Sequence, residues 1–165
     1  MVSGESHYYL GRRYRLRVVE HAGPSRVMLR NRAALELQVR SDYGAKEREQ
    51  VLWRWYRARL RELVPPLLAE WEAVLGVRAA TVGIKKMKTK WGACSVDARR
   101  IWLNLELAKK PVQCLEYLIV HELTHLIEPH HTDRFVSLMD RHLPQWRHHR
   151  KMLNEAPLGH AAWTY

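Results

Sequence analysis

A chain of 165 residues, 47% hydrophobic and 27% charged, can bury one ordinary core and is too apolar to be disordered. Its two cysteines exclude a disulfide scaffold and a four-cysteine zinc knot, and they fit a reduced, cytoplasmic setting. A net charge of +11 favours anionic partners such as nucleic acid or nucleotides, although much of it sits in stretches such as "RWYRARLRELV", where solvated arginines on a helix face account for it.

No apolar stretch approaches the roughly 20 residues that cross a bilayer. The opening residues, "MVSGESHYYLGRRYRL", lack the apolar core of a signal peptide, so no membrane association is expected. The first forty residues alternate in "HYYLGRRYRLRVVE", "SRVMLRN" and "ALELQVRS". These predict short antiparallel strands over about 7–40, with a turn at Gly23-Pro24.

Ser41 or Asp42 is a candidate cap for the next element. From Ala45 the apolar spacing becomes helical through Val51, Leu52, Trp55, Tyr56, Leu60 and Leu63. Pro65-Pro66 predicts an interruption, after which "LLAEWEAVLG" resumes and stops at Gly76. The stretch "TVGIKKMKTKWGACSVDARRIWLNLEL" reads as strands joined in part by a Val-Asp-Ala-Arg turn.

Pro111 then opens a strong helix that Pro129 should end. Shorter helices are expected over 132–142 and 145–154, and the tail "GHAAWTY" should be irregular. Strands and helices are grouped rather than alternating, which makes the class α+β in a single domain over 1–165.

The strong helix carries "HELTHLIEPHH". Positions i and i+4 share a helix face, so His121 and His125 project together, with Glu122 beside them. This is the HExxH arrangement, in which two imidazoles hold zinc and the glutamate serves as general base. The bland alternative is a pair of surface histidines. Leu115, Leu118, Ile119 and Leu126 weigh against it by giving the helix a buried stripe.

A catalytic zinc takes three protein ligands and leaves one position open. A continuing helix, turning about 100° per residue, would carry His130 and His131 away from the His125 face. Pro129 offers the necessary break. His131 lies six residues past His125, the interval of the metzincin motif, and is favoured over His130; Glu128, Asp133 and His142 are weaker candidates.

Four segments carry a family resemblance: "SGESHYYLGRRYRLRVVE" (3–20), "KTKWGACS" (88–95), "IWLNLEL" (101–107) and "YLIVHELTHLIEPHHTDRF" (117–135). Together they resemble the YgjP-like metal-dependent hydrolases, bacterial proteins related to the SprT-like zinc proteases. The last segment fits the pattern HELxHLxxxxHxxxF, whose third ligand position is His131. The resemblance implies a minimal zincin-like fold with a small antiparallel or mixed sheet, N-terminal strands and a catalytic part over about 45–155.

It further implies a Zn2+ metallopeptidase acting on peptide or protein, with the "WGACS" strand lying beside the cleft. Ala93 stands where the family usually has serine. Longer members carry additional strands before the first block, so an exposed edge strand is expected here.

Two other functions compete. A zinc-activated water can attack a phosphoanhydride, and the basic residues suit a nucleotide, but no glycine-rich phosphate loop is evident. A nucleic-acid-binding module with a structural zinc would use the positive charge, yet such sites are usually closed by four cysteine-rich ligands, and Glu122 would have no purpose there. Cys94 reads as a small buried hydrophobe, and Trp53, Trp55 and Trp71 as helix packing. Asn104 reads as a polar residue near a turn or near the active helix, and "RHHR" (147–150) as a solvated helix face.

Overall fold

In the strand Arg12–Glu20, Tyr14 and Leu16 point inward while Arg13, Arg15 and Arg17 face solvent. That alternation places one face on a core and keeps the other charged. The computed structural model describes residues 1–155 and is an α+β fold. The tail expectation, with His160 and Trp163, lies outside the described residues.

The N-terminal strands are β1 (Ser6–Tyr9), β2 (Arg12–Glu20), β3 (Arg26–Arg30) and β4 (Ala34–Val39), in the order β1-β2-β4-β3. Leu10 and Gly11 join β1 to β2 with both φ values positive, as a two-residue type I′ turn demands. The reading of these strands as antiparallel needs correction, because β2 and β4 run parallel; the sheet is mixed, within the antiparallel or mixed sheet that the resemblance implies. β4 lies in the middle, between β2 and β3, with Leu35, Leu37 and Val39 fully buried on one face and Glu36 and Gln38 on the other. β3 therefore skips one position, and the Gly23-Pro24 segment spans it rather than closing a hairpin.

Helix α1 (Ala45–Leu75) is continuous through Pro65 and Pro66, contrary to the expected interruption. Both prolines are exposed, so the carbonyls of Arg61 and Glu62 that lose amide partners lie toward water. The neighbouring turns stay anchored by buried Leu60, Val64 and Trp71. Neither Ser41 nor Asp42 caps this helix. Arg40 binds Asp42 at 2.8 and 3.0 Å, and the cap is Gly44, whose N–H donates to Glu47 at 3.0 Å. Gly76, at φ +68°, ends the helix.

A second sheet has the order β5-β7-β6, from β5 (Thr81–Lys85), β6 (Gly92–Ser95) and β7 (Arg100–Asn104). A 3-10 helix follows at Leu105–Lys109, then α2 (Val112–Thr124), α3 (Asp133–His142) and α4 (Trp146–Asn154). Helix α2 is buried along nearly its whole length, against α1, α3, α4 and β6.

The first hairpin is tied to the second half of the chain. Leu10 N–H and Gly11 N–H donate to Ala108 and Lys109 carbonyls at 2.9 Å, and Tyr56 Oη donates to the Tyr8 carbonyl at 2.6 Å. Among the described residues, no helix is long and apolar enough to cross a membrane.

Candidate metal centre

Helix α2 ends at Thr124, four residues earlier than Pro129 alone would require. Its last turn tightens: Leu126 and Ile127 amides bond to Leu123 and Thr124 carbonyls at 3.0 and 2.9 Å, three residues back. His125 keeps helical dihedrals as the C-cap, so it still stacks one turn beyond His121. The chain then passes Pro129 and returns, and Thr132 caps α3 by accepting from Phe135 N–H at 3.3 Å.

This return brings His131 to the other two histidines. Nε2 of His121 lies 3.2 Å from Nε2 of His125 and 3.3 Å from that of His131, and the last two are 3.0 Å apart. Donors bound to one tetrahedral ion by bonds of about 2.0–2.1 Å sit about 3.3–3.4 Å apart, so the observed triangle is close to that size. Among the described residues, this is the cluster whose ligand atoms converge well enough to hold a metal. His130 is exposed and outside it; Glu128 pairs with Arg134 at 3.6 Å; Asp133 and His142 lie on α3.

The outer ring atoms meet partners that orient the rings, and the one at His125 fixes its tautomer. His125 Nδ1–H donates to the Glu128 carbonyl at 3.2 Å, and His121 Nδ1 lies 3.3 Å from the Tyr117 hydroxyl. The bond to the carbonyl leaves the His125 Nε2 lone pair directed at the cluster, and His121 presents its own when Nδ1–H donates to the Tyr117 hydroxyl. Facing lone pairs at this distance repel one another, and a cation between them removes the repulsion.

Burial holds the His121 imidazole well below its usual pKa, reinforced by His125, His131 and Arg150. Burial also lowers His125. Both are therefore neutral near pH 7, the state a metal ligand needs. Phe135 closes one side of the cluster, 4.6–5.0 Å from all three rings.

Glu122 is 1% exposed and faces β6. A Cβ on Gly92 would stand 2.9 Å from Glu122 Oε1, 3.1 Å from Leu118 Cδ1 and 3.1 Å from the Trp102 carbonyl. The missing side chain is what admits the carboxylate beside the strand. Cys94, two residues on, is half-buried rather than fully buried as its reading as a hydrophobe expects, and its thiol is pushed up to about 11 by burial and by the Glu122 charge.

Asn104 does more than its sequence context suggested. Fully buried, it donates to the Lys90 and Met87 carbonyls at 2.7 and 3.2 Å and accepts from Glu106 N–H at 3.0 Å. It thereby pins the loop that delivers Trp91 and Gly92. Trp91 Nε1 in turn donates to Asn154 at 3.3 Å, and Lys110 Nζ donates to the Glu155 carbonyl at 2.8 Å, holding the end of α4.

Phe135 closes the family pattern and Gly92 lies in the "WGACS" strand, but neither role can be read from spacing, and Tyr117 is not singled out at all. Tyr117 carries a signal, since it precedes His121 by four residues and so shares its helix face. Part of the positive charge is packed rather than presented: Lys86 and Lys109 lie over Trp53 at 4.1 and 4.4 Å, and Lys85 over Trp102 at 4.3 Å.

Among curated proteins, none matches this sequence. Similar solved structures include the crystal structure of the metallopeptidase zymogen abylysin from Pyrococcus abyssi. It is 22% identical, with a TM-score of 0.47, over 53% of this chain and 86% of that one. The family match is far more extensive. Residues 1–156 fit the YgjP-like, metallopeptidase domain, and the chain belongs to that family of metal-dependent peptidases.

Proposed function

We propose that this protein is a zinc peptidase in which His121, His125 and His131 hold the metal and Glu122 is the general base. The observation that carries this reading is the triangle of three Nε2 atoms at 3.0–3.3 Å, with Glu122 adjacent to the first on the same helix. Three imidazoles suit zinc among divalent ions and leave a fourth position for substrate or water. Bound there, the metal supplies Lewis-acid chemistry, bringing a water toward a pKa of about 7 and polarising a carbonyl.

The chain's own groups do the rest. Glu122 takes the proton of the attacking water and returns it to the leaving amine. Its burial between α2 and Gly92 holds the carboxylate in one place through both transfers. Tyr117 and the Glu128 carbonyl keep His121 and His125 oriented. Strand β6 is an edge of its sheet and packs on α2, so an extended peptide could add to it as a further strand alongside the site.

Glu122→Gln tests the assignment. The variant should keep its zinc while cleavage of a quenched-fluorescent peptide mixture falls by about 10²–10⁴-fold, the usual contribution of a general base. Full turnover in this variant would remove Glu122 from the mechanism.

A further inference from the structure

Next to the histidines is a cavity of about 330 Å³, near the lower end of the range for small-ligand pockets and sized for one large side chain. His121 and His131 form one boundary. Tyr117, Phe135, Val136 and Trp146 form apolar walls, with the Tyr117 and Trp146 rings nearly parallel at 10° and 6.3 Å apart. Stacked rings make a stiff wall that loses little freedom when a ligand enters.

The remaining lining residue is Arg150, exposed on α4. Its neighbour Arg147 is engaged by Asp140 at 2.6 Å, and Trp146 Nε1 donates to the same carboxylate oxygen at 2.8 Å. Among the described residues, no carboxylate pairs with Arg150. An apolar cavity bordered by metal ligands and by an unclaimed guanidinium matches a ligand with an apolar body and a negative end.

We propose that this cavity takes the C-terminal residue of a peptide, a large apolar side chain filling it and the free carboxylate binding Arg150. This rests on the zinc-peptidase reading and assigns its substrate class. Seating the last residue there brings the preceding peptide bond toward the three histidines. Hydrolysis adds water across that bond: the carbonyl carbon gains the water oxygen, the C–N bond breaks, and the departing amine takes the proton that Glu122 removed.

The test uses zinc-loaded protein of wild-type sequence, Arg150→Gln and Val136→Phe. Calorimetry measures L-benzylsuccinate, which has a ring and two carboxylates, and methylsuccinate, which lacks the ring. Benzylsuccinate should bind wild type more tightly than methylsuccinate. It should weaken by about 10–100-fold in Arg150→Gln, as loss of a charge-assisted contact implies, and weaken likewise in Val136→Phe, where the cavity is filled.

In cleavage assays benzoylglycyl-phenylalanine should be hydrolysed and its C-terminal amide should not. Equal cleavage of the acid and the amide, no binding of benzylsuccinate, or unchanged affinity in Arg150→Gln would overturn the proposal. The two readings fail separately. Loss of the acid preference with Glu122→Gln still inactive sinks only the pocket. Binding of 3-phenylpropionate to metal-free protein, weakened by Arg150→Gln, supports the pocket even if zinc chemistry is absent.

Discussion

The four-stranded sheet of this protein is the larger of its two, and the two differ in what holds them. The four-stranded sheet follows the burial pattern: Tyr14, Leu16, Leu35, Leu37 and Val39 point to the core and arginines alternate outward. The three-stranded sheet contains buried apolar residues too, Ile101 and Leu103 among them, but its shape depends on Asn104 and Gly92. One fixes a loop with side-chain hydrogen bonds, and the other leaves a space for a carboxylate. The first sheet is scaffold, and the second borders the chemistry.

That difference yields paired predictions. Leu37→Ala should cost the most stability, about 2–5 kcal/mol for a buried leucine, read by denaturant unfolding. The folded fraction should hold metal and cleave peptide as the wild type does. Asn104→Ala should cost about 1–3 kcal/mol by leaving buried backbone groups unsatisfied, and it should also lower turnover because the Trp91-Gly92 loop is released. Equal loss of turnover in both variants, per folded molecule, would erase the distinction between the sheets.

Gly92→Ala sharpens it further. The new methyl meets Glu122 Oε1 and the Trp102 carbonyl, and backbone cannot move aside cheaply. Turnover should fall by about 10–100-fold through a misplaced base with metal content unchanged. Tyr117→Phe removes the hydroxyl beside His121 Nδ1 and should weaken metal affinity by about 10-fold, measured by competition with a chelator.

The smallest effect concerns the thiols. Burial raises Cys94 to about 11 and Cys114 to about 12. The fold thus binds these protons more tightly than the unfolded chain, whose thiols titrate near 9. This contribution to stability is present below pH 9 and declines as pH rises toward 11–12. Native protein at pH 8 should react slowly with a disulfide reagent and fully once unfolded; fast native labelling would contradict the burial.

The regions that follow burial are also the ones legible in the sequence. The alternating N-terminal strands, the stripe beginning at Val51 and the helices near 132–142 and 145–154 all announce themselves by apolar period. The parallel pairing of β2 with β4 does not, because the same alternation serves either direction. Prolines mislead where they are exposed, since Pro65 and Pro66 sit on the solvent face of an otherwise anchored helix.

At the candidate site, the i and i+4 spacing of His121 and His125 and the six-residue step to His131 can be read directly. The early end of α2 at Thr124 cannot, because it comes from the carbonyl and amide pairing of the next turn. Nor can Asn104, Gly92 or Tyr117, whose importance lies in contacts to residues far along the chain or in a space left empty.

The proposed metal site depends on three histidines that converge because the chain turns back after His125. Zinc per chain, measured by elemental analysis on folded wild type, His131→Ala and His130→Ala, tests it most directly. About one zinc is expected in wild type and in His130→Ala, with strong loss in His131→Ala. Full zinc in His131→Ala, or its loss in His130→Ala, would contradict it.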